Sequence, residues 1–77
     1  MGKTIYSEEY KRLLDFLIEA RGKTGLTQQQ LAKKLGKPQS YISKYEHGER
    51  RLDVVEFIAI AKILKADMAS IVKALSG

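Results

Sequence analysis

The sequence predicts an all-α fold: a compact single domain over residues 1–77, built of five short helices with a helix-turn-helix near its middle. Three observations predict it. Apolar residues recur at spacings of three and four along nearly the whole chain, the signature of amphipathic helices. Helix-capping residues and glycines cut that pattern into short pieces. Nowhere do apolar and polar residues alternate as a half-buried strand requires.

Residues 1–6, MGKTIY, carry no period and are expected to fray. Ser7 is a suitable N-cap, with Glu8 and Glu9 in the positive first turn. Tyr10, Leu13, Leu14, Leu17 and Ile18 then follow at helical spacing, so the first helix runs from about 8 to 23. Gly25 suits a left-handed C-terminal cap, and Leu26 the apolar contact that follows such a cap. Phe16 lies off the main stripe, where it packs on the last helix or on another subunit.

Thr27 and Gln30 have capping-box spacing, and the second helix spans about 28–35, with Leu31, Ala32 and Leu35 inward and Lys33 and Lys34 outward. Gly36 ends it. Lys37-Pro38 forms the re-entry, because proline drives the preceding residue to extended backbone and is tolerated at a helix start. The third helix spans about 39–46. Ile42 and Tyr45 share its core face, while Ser40, Ser43 and Lys44 share the opposite face, with Gln39 at the leading edge and Tyr41 on the boundary. Gly48 closes it. Asp53 and Glu56 can cap a fourth helix, about 54–65, with Val54, Phe57, Ile58, Ala61 and Leu64 as its core stripe and Val55, Ala59 and Ile63 as a second apolar line. Asp67 caps a fifth, about 68–75, with Met68, Ile71, Val72 and Leu75 inward.

Charge points to the partner. The net charge is +5, yet residues 21–51 hold eight basic side chains against two acidic ones. The excess therefore sits wholly in and around the second and third helices, and such a concentrated field attracts a polyanion, nucleic acid first. On this reading Gln39, Ser40, Ser43 and Lys44 meet DNA base edges, and Lys37, Arg50 and Arg51 flank the helix as candidates for phosphate or minor-groove contact. Tyr41 is read as a packing or phosphate-contact residue, since one aromatic does not make a single-strand groove.

Other classes lack support. With no cysteine, disulfides and thiolate metal sites are absent, and the lone His47 has no second ligand near it in sequence, so neither metal nor cofactor is expected. No nucleophile sits at motif spacing from a histidine and no glycine-rich phosphate loop occurs, so an enzyme is not expected. There is neither a long apolar run nor an N-terminal signal segment, and a cytoplasmic location without membrane contact follows as the expectation.

The stretch GLTQQQLAKKLGKPQSYISKYEHGER resembles the helix-turn-helix of the Cro/C1-type (XRE) family of repressors. The resemblance covers about residues 10–75 and is strongest from Leu26 to Gly48, where Gln28-x-x-Leu31-Ala32, Leu35-Gly36, Ser40-x-Ile42-Ser43 and Glu46-x-Gly48 carry the spacing. It implies a lambda-repressor-like fold, with the third helix in the major groove of double-stranded DNA and the second across the backbone. It further implies base reading by Gln39, Ser40 and Lys44 with Ser43 nearby, phosphate binding by Gln28, and an internal ion pair between Arg21 and Glu46. Pro38 departs from the family's usual Ser or Thr, which removes a side-chain cap. The expected function is a transcriptional repressor acting as a homodimer on a two-fold operator. Its dimer contact would lie on the fifth helix, the second face of the fourth, or Phe16. The alternative is an antitoxin or another interaction module, whose partner is a toxin or a regulator.

Overall fold

The computed structural model describes residues 7–76, so the expectation for residues 1–6 lies outside them. Among the described residues five helices and no strand are present: α1 Glu8–Thr24, α2 Gln28–Leu35, α3 Gln39–Glu46, α4 Val54–Leu64 and α5 Met68–Ser76.

Each boundary has a local cause. The Ser7 hydroxyl accepts from the Tyr10 amide at 3.1 Å, and Gly25 at φ 79° ends α1. Thr27 and Gln30 close a full capping box at the start of α2, and Gly36 at φ 71° ends it. That left-handed turn is open to glycine without the steric cost a Cβ would bring. Pro38 precedes α3 with no side-chain cap, as the sequence implies. Asp53 and Glu56 form the second capping box. The Asp67 carboxylate receives the Ser70 amide at 3.1 Å and so caps α5.

The turn after α4 differs from the expectation. The helix ends at Leu64, and Lys65 takes the left-handed conformation at φ 56°. No glycine or asparagine announces this stop. It is made by backbone geometry, with the Lys65 and Ala66 amides donating to the carbonyls of Lys62 and Ala61.

The core joins Tyr10, Leu14 and Leu17 of α1, Leu31 and Ala32 of α2, Ile42 and Tyr45 of α3, and Ile60 and Leu64 of α4. α2 and α3 pack on each other, α1 backs onto α3, α4 and α5, and α4 also touches α2. The Tyr10 hydroxyl accepts from the Leu52 amide at 2.9 Å, tying the α3–α4 loop down to α1. Ile42 and Tyr45 are fully buried, which fixes the rotation of α3 and turns its other side outward. The Tyr45 hydroxyl is buried without a hydrogen-bond partner among the described protein atoms. Burial pushes its pKa well above the ordinary phenol value.

Two expected core stripes need correction. On α4, Val54 and Ile58 are exposed, and Ile60, absent from both expected stripes, is fully buried. The buried face of α4 is set by Ile60, Ala61 and Leu64, with Phe57 and Ile63 packed against the core beside it and Val54, Val55 and Ile58 turned to solvent. On α5 only Ile71 is buried, while Met68 and Val72 are exposed. α5 packs chiefly on α1, a single neighbour that covers one narrow stripe. Phe16 is half-buried and borders the groove between α1 and α5, beside Ala20 and Ser70.

Candidate nucleic-acid interface

α3 carries the candidate reading residues on the side opposite its buried anchors. Gln39, Ser40 and Lys44 are exposed. Ser43 is half-buried and sits by the end of the helix, its hydroxyl 3.3 Å from Nδ1 of His47. The same nitrogen lies 2.8 Å from the Ser43 carbonyl, which only accepts, so His47 carries its proton there. Ser43 is thus the least accessible of the four.

Behind this face a polar network braces the helix. Arg21 grips Glu46 side-on, with Nε donating to Oε2 at 2.7 Å and Nη2 to Oε1 at 3.1 Å. Its remaining Nη1 donates to the Leu26 carbonyl at 2.9 Å, which anchors the loop between α1 and α2. The Glu46 side chain is only 5% exposed and that of Arg21 20%, so the pair is shielded from water. The hydrogen bond to Glu46 raises the Arg21 pKa above its ordinary value, keeping it charged. Gln28, at the start of α2, adds a third donor, with Nε2 to Glu46 Oε1 at 2.9 Å. Its own oxygen accepts from Gln39 Nε2 at 3.4 Å. One network therefore runs from α1, through the end of α3 and the start of α2, to the first residue of α3. The family resemblance implies only a phosphate contact for Gln28. Gln28 is half-buried inside this network and keeps one N–H for another acceptor.

The flanking cations are anchored too. Tyr41 is half-buried, with the Lys37 ammonium 5.3 Å from its ring centroid and the Arg50 guanidinium 4.6 Å from it. It meets Tyr45 edge-on. Burial raises the Tyr41 pKa, and the nearby Glu56 carboxylate adds to the rise. Arg50 makes a two-pronged pair with Glu56 at 3.1 and 2.8 Å and also donates to the Arg51 carbonyl. The Arg51 guanidinium stacks 4.5 Å from the Tyr10 ring centroid. The sequence alone gives Glu56 a capping role and does not reveal the cluster of Arg50, Tyr41 and Glu56. The Glu56 carboxylate does both, receiving the Asp53 amide at 2.9 Å as well as Arg50. The spacing of Arg50 and Glu56 across a capping residue was the available signal.

The Arg50 hydrogen bonds, with that of the Asp53 amide second, lower the Glu56 pKa from 4.5 to about 2. A depressed carboxylate pKa contributes stability that is present above the unfolded value and lost as pH falls toward the folded one. Glu56→Gln keeps the cap but removes the charge. We expect it to cost about 1 kcal/mol at neutral pH, a modest figure because the pair is partly exposed to solvent. The difference from the wild type should shrink between pH 4.5 and about 2. Urea midpoints across that range check this, and a pH-independent difference would show that charge is irrelevant there.

Among the described residues no cluster of histidine and carboxylate side chains is placed to hold a metal, and no helix is long and apolar enough to cross a membrane. The geometry is that of two helices joined by a tight turn, the second presenting a polar face amid basic residues. The family model described as HTH_3, Helix-turn-helix, matches residues 17–71. Among solved structures, the chain is similar to an XRE-family like protein from Pseudomonas syringae pv. tomato str. DC3000, with a TM-score of 0.81 and 46% identity, over 88% of this chain and 83% of that one. No match is found among curated proteins. With the family model spanning most of its length and this close structural likeness, the chain belongs to the XRE family of helix-turn-helix, DNA-binding transcriptional regulators.

Proposed function

We propose that the protein is a repressor that binds a two-fold operator in double-stranded DNA as a homodimer, in the cytoplasm. α3 enters the major groove, where Gln39, Ser40 and Lys44 read base edges and Ser43 contributes from the helix end. Gln suits adenine, and Lys suits guanine O6 and N7. Lys37 and Arg51 meet phosphates, with Gln28 and Tyr41 as neutral donors to the same backbone. Arg50 is the weaker phosphate ligand, because Glu56 already offsets its charge.

The observation that carries this reading is the braced presentation of α3. Its apolar side is fully buried at Ile42 and Tyr45, its end is tied to α1, and its outward residues are polar and exposed. A helix held so rigidly, in the most basic part of the chain, suits direct readout. Selection from random duplex DNA tests it. The expected result is a palindromic consensus whose half-sites lie about 34 Å, one helical turn, apart. Absence of any enriched sequence would overturn specific recognition.

The dimer reading is supported by exposed apolar side chains at Val55, 76% exposed, and Val72, 62% exposed, with Val54 next to the first and Met68 four residues before the second. Such surface favours a protein contact. A second copy fits the operator symmetry. An unrelated protein partner, as for an antitoxin, is the competing occupant, and a monomeric mass in solution at high concentration favours it.

A further inference from the structure

We infer that the Arg21–Glu46 ion pair decides which purine Gln39 accepts, by setting the direction of the amide hydrogen bonds that pass through Gln28. The inference rests on the reading of Gln39 as a base-contacting residue. An amide side chain offers an oxygen on one side and an NH2 on the other, and nothing in its own chemistry selects between them. Here every choice is forced in turn.

Arginine only donates, so Glu46 receives Nε and Nη2 as an ionised acceptor. Glu46 has no proton to give, so Gln28 must turn its nitrogen toward it, at 2.9 Å. The Gln28 oxygen is then left facing Gln39. An oxygen only accepts, so Gln39 must offer an N–H, and its nitrogen lies 3.4 Å away. With Glu46 5% exposed, bulk water does not compete at the Gln28–Glu46 link, whereas the Gln28–Gln39 contact lies at the surface and loses its competing water when DNA covers it.

What remains on Gln39 for a base is one N–H and the oxygen. Adenine presents an acceptor, N7, beside a donor, the N6 amino group, and matches that pair. Guanine presents two acceptors, N7 and O6, so the Gln39 oxygen would face O6 without a proton between them. With the network reversed, the Gln39 oxygen would be occupied by Gln28 and both N–H groups would face the groove, which suits guanine. Glu46 is therefore a positioning residue for specificity, although it is buried at the far end of α3.

Parallel selections from one random duplex pool test this with the wild type, Gln39→Ala, Glu46→Gln and Gln28→Ala. Glu46→Gln makes the first acceptor reversible, and Gln28→Ala removes the link while sparing the ion pair. The wild type should prefer adenine over guanine by about tenfold or more at a position that Gln39→Ala makes indifferent. In both relay variants that ratio should fall to within about threefold while the rest of the consensus is kept. A merely structural role would lower affinity for all sequences and leave the ratio untouched, and that result overturns the inference alone. A wild-type consensus with no Gln39-dependent position overturns both the inference and the base-reading role. If circular dichroism shows that Glu46→Gln does not fold, Gln28→Ala decides by the same ratio.

Discussion

Glu46→Ala is expected to destabilise the protein by about 3 kcal/mol, and Arg21→Ala by at least as much, because each strands a shielded charge without its partner. The order follows from burial. Without Glu46, Arg21 still donates to the Leu26 carbonyl and remains 20% exposed. Without Arg21, Glu46 keeps only Gln28 and is 5% exposed. A domain of this length has a total stability of roughly 4–12 kcal/mol, so either loss is a large share of it. The melting temperature should drop by about 12 °C or more. The double variant Arg21→Met with Glu46→Leu should return to within about 1 kcal/mol of the wild type, since desolvation offsets most of the attraction in the native pair. Urea and thermal unfolding of the four proteins measure this. Single variants that lose less than about 1 kcal/mol would mean the pair behaves as a surface ion pair.

DNA affinity is expected to fall about a thousandfold between 50 and 200 mM salt, with a slope near −5 on logarithmic axes. The figure comes from Lys37, Arg50 and Arg51 on two protomers, about six neutralised phosphates, each releasing close to one counterion. Lys37→Ala should reduce the slope by about two in a dimer, one contact per protomer. Arg50→Ala should reduce it less, because Glu56 at 2.8 Å already takes up part of its charge. Fluorescence anisotropy on a selected duplex at several salt concentrations measures both slopes. Equal slope changes would show that the Glu56 pair opens when DNA binds. A slope near zero for the wild type would remove phosphate binding from these cations altogether.

Much of this molecule is written locally. Ser7, Thr27, Asp53 and Asp67 cap the helices they precede, and Gly25 and Gly36 end the helices before them, because these signals act within one turn of backbone. The two faces of α3 were equally legible, since Ile42 and Tyr45 are one helical turn apart. The Arg21–Glu46 contact was accessible through family resemblance alone, as no local rule links residues 25 positions apart.

What the sequence determined by itself is the five-helix order, the place of the tight turn and the concentration of basic charge around α2 and α3. Those depend on periodicity, capping and counting. Only the tertiary structure decided which apolar faces are covered. α4 has apolar residues on several sides, and its neighbours select Ile60, Ala61 and Leu64 while leaving Val54, Val55 and Ile58 to solvent. Only the tertiary structure, too, brought Gln28 between Glu46 and Gln39 and set Arg50 against Tyr41 and Glu56. Hydrogen bonds and ion pairs between distant residues depend on how helices dock, and docking is settled by packing the whole core at once rather than by any single segment.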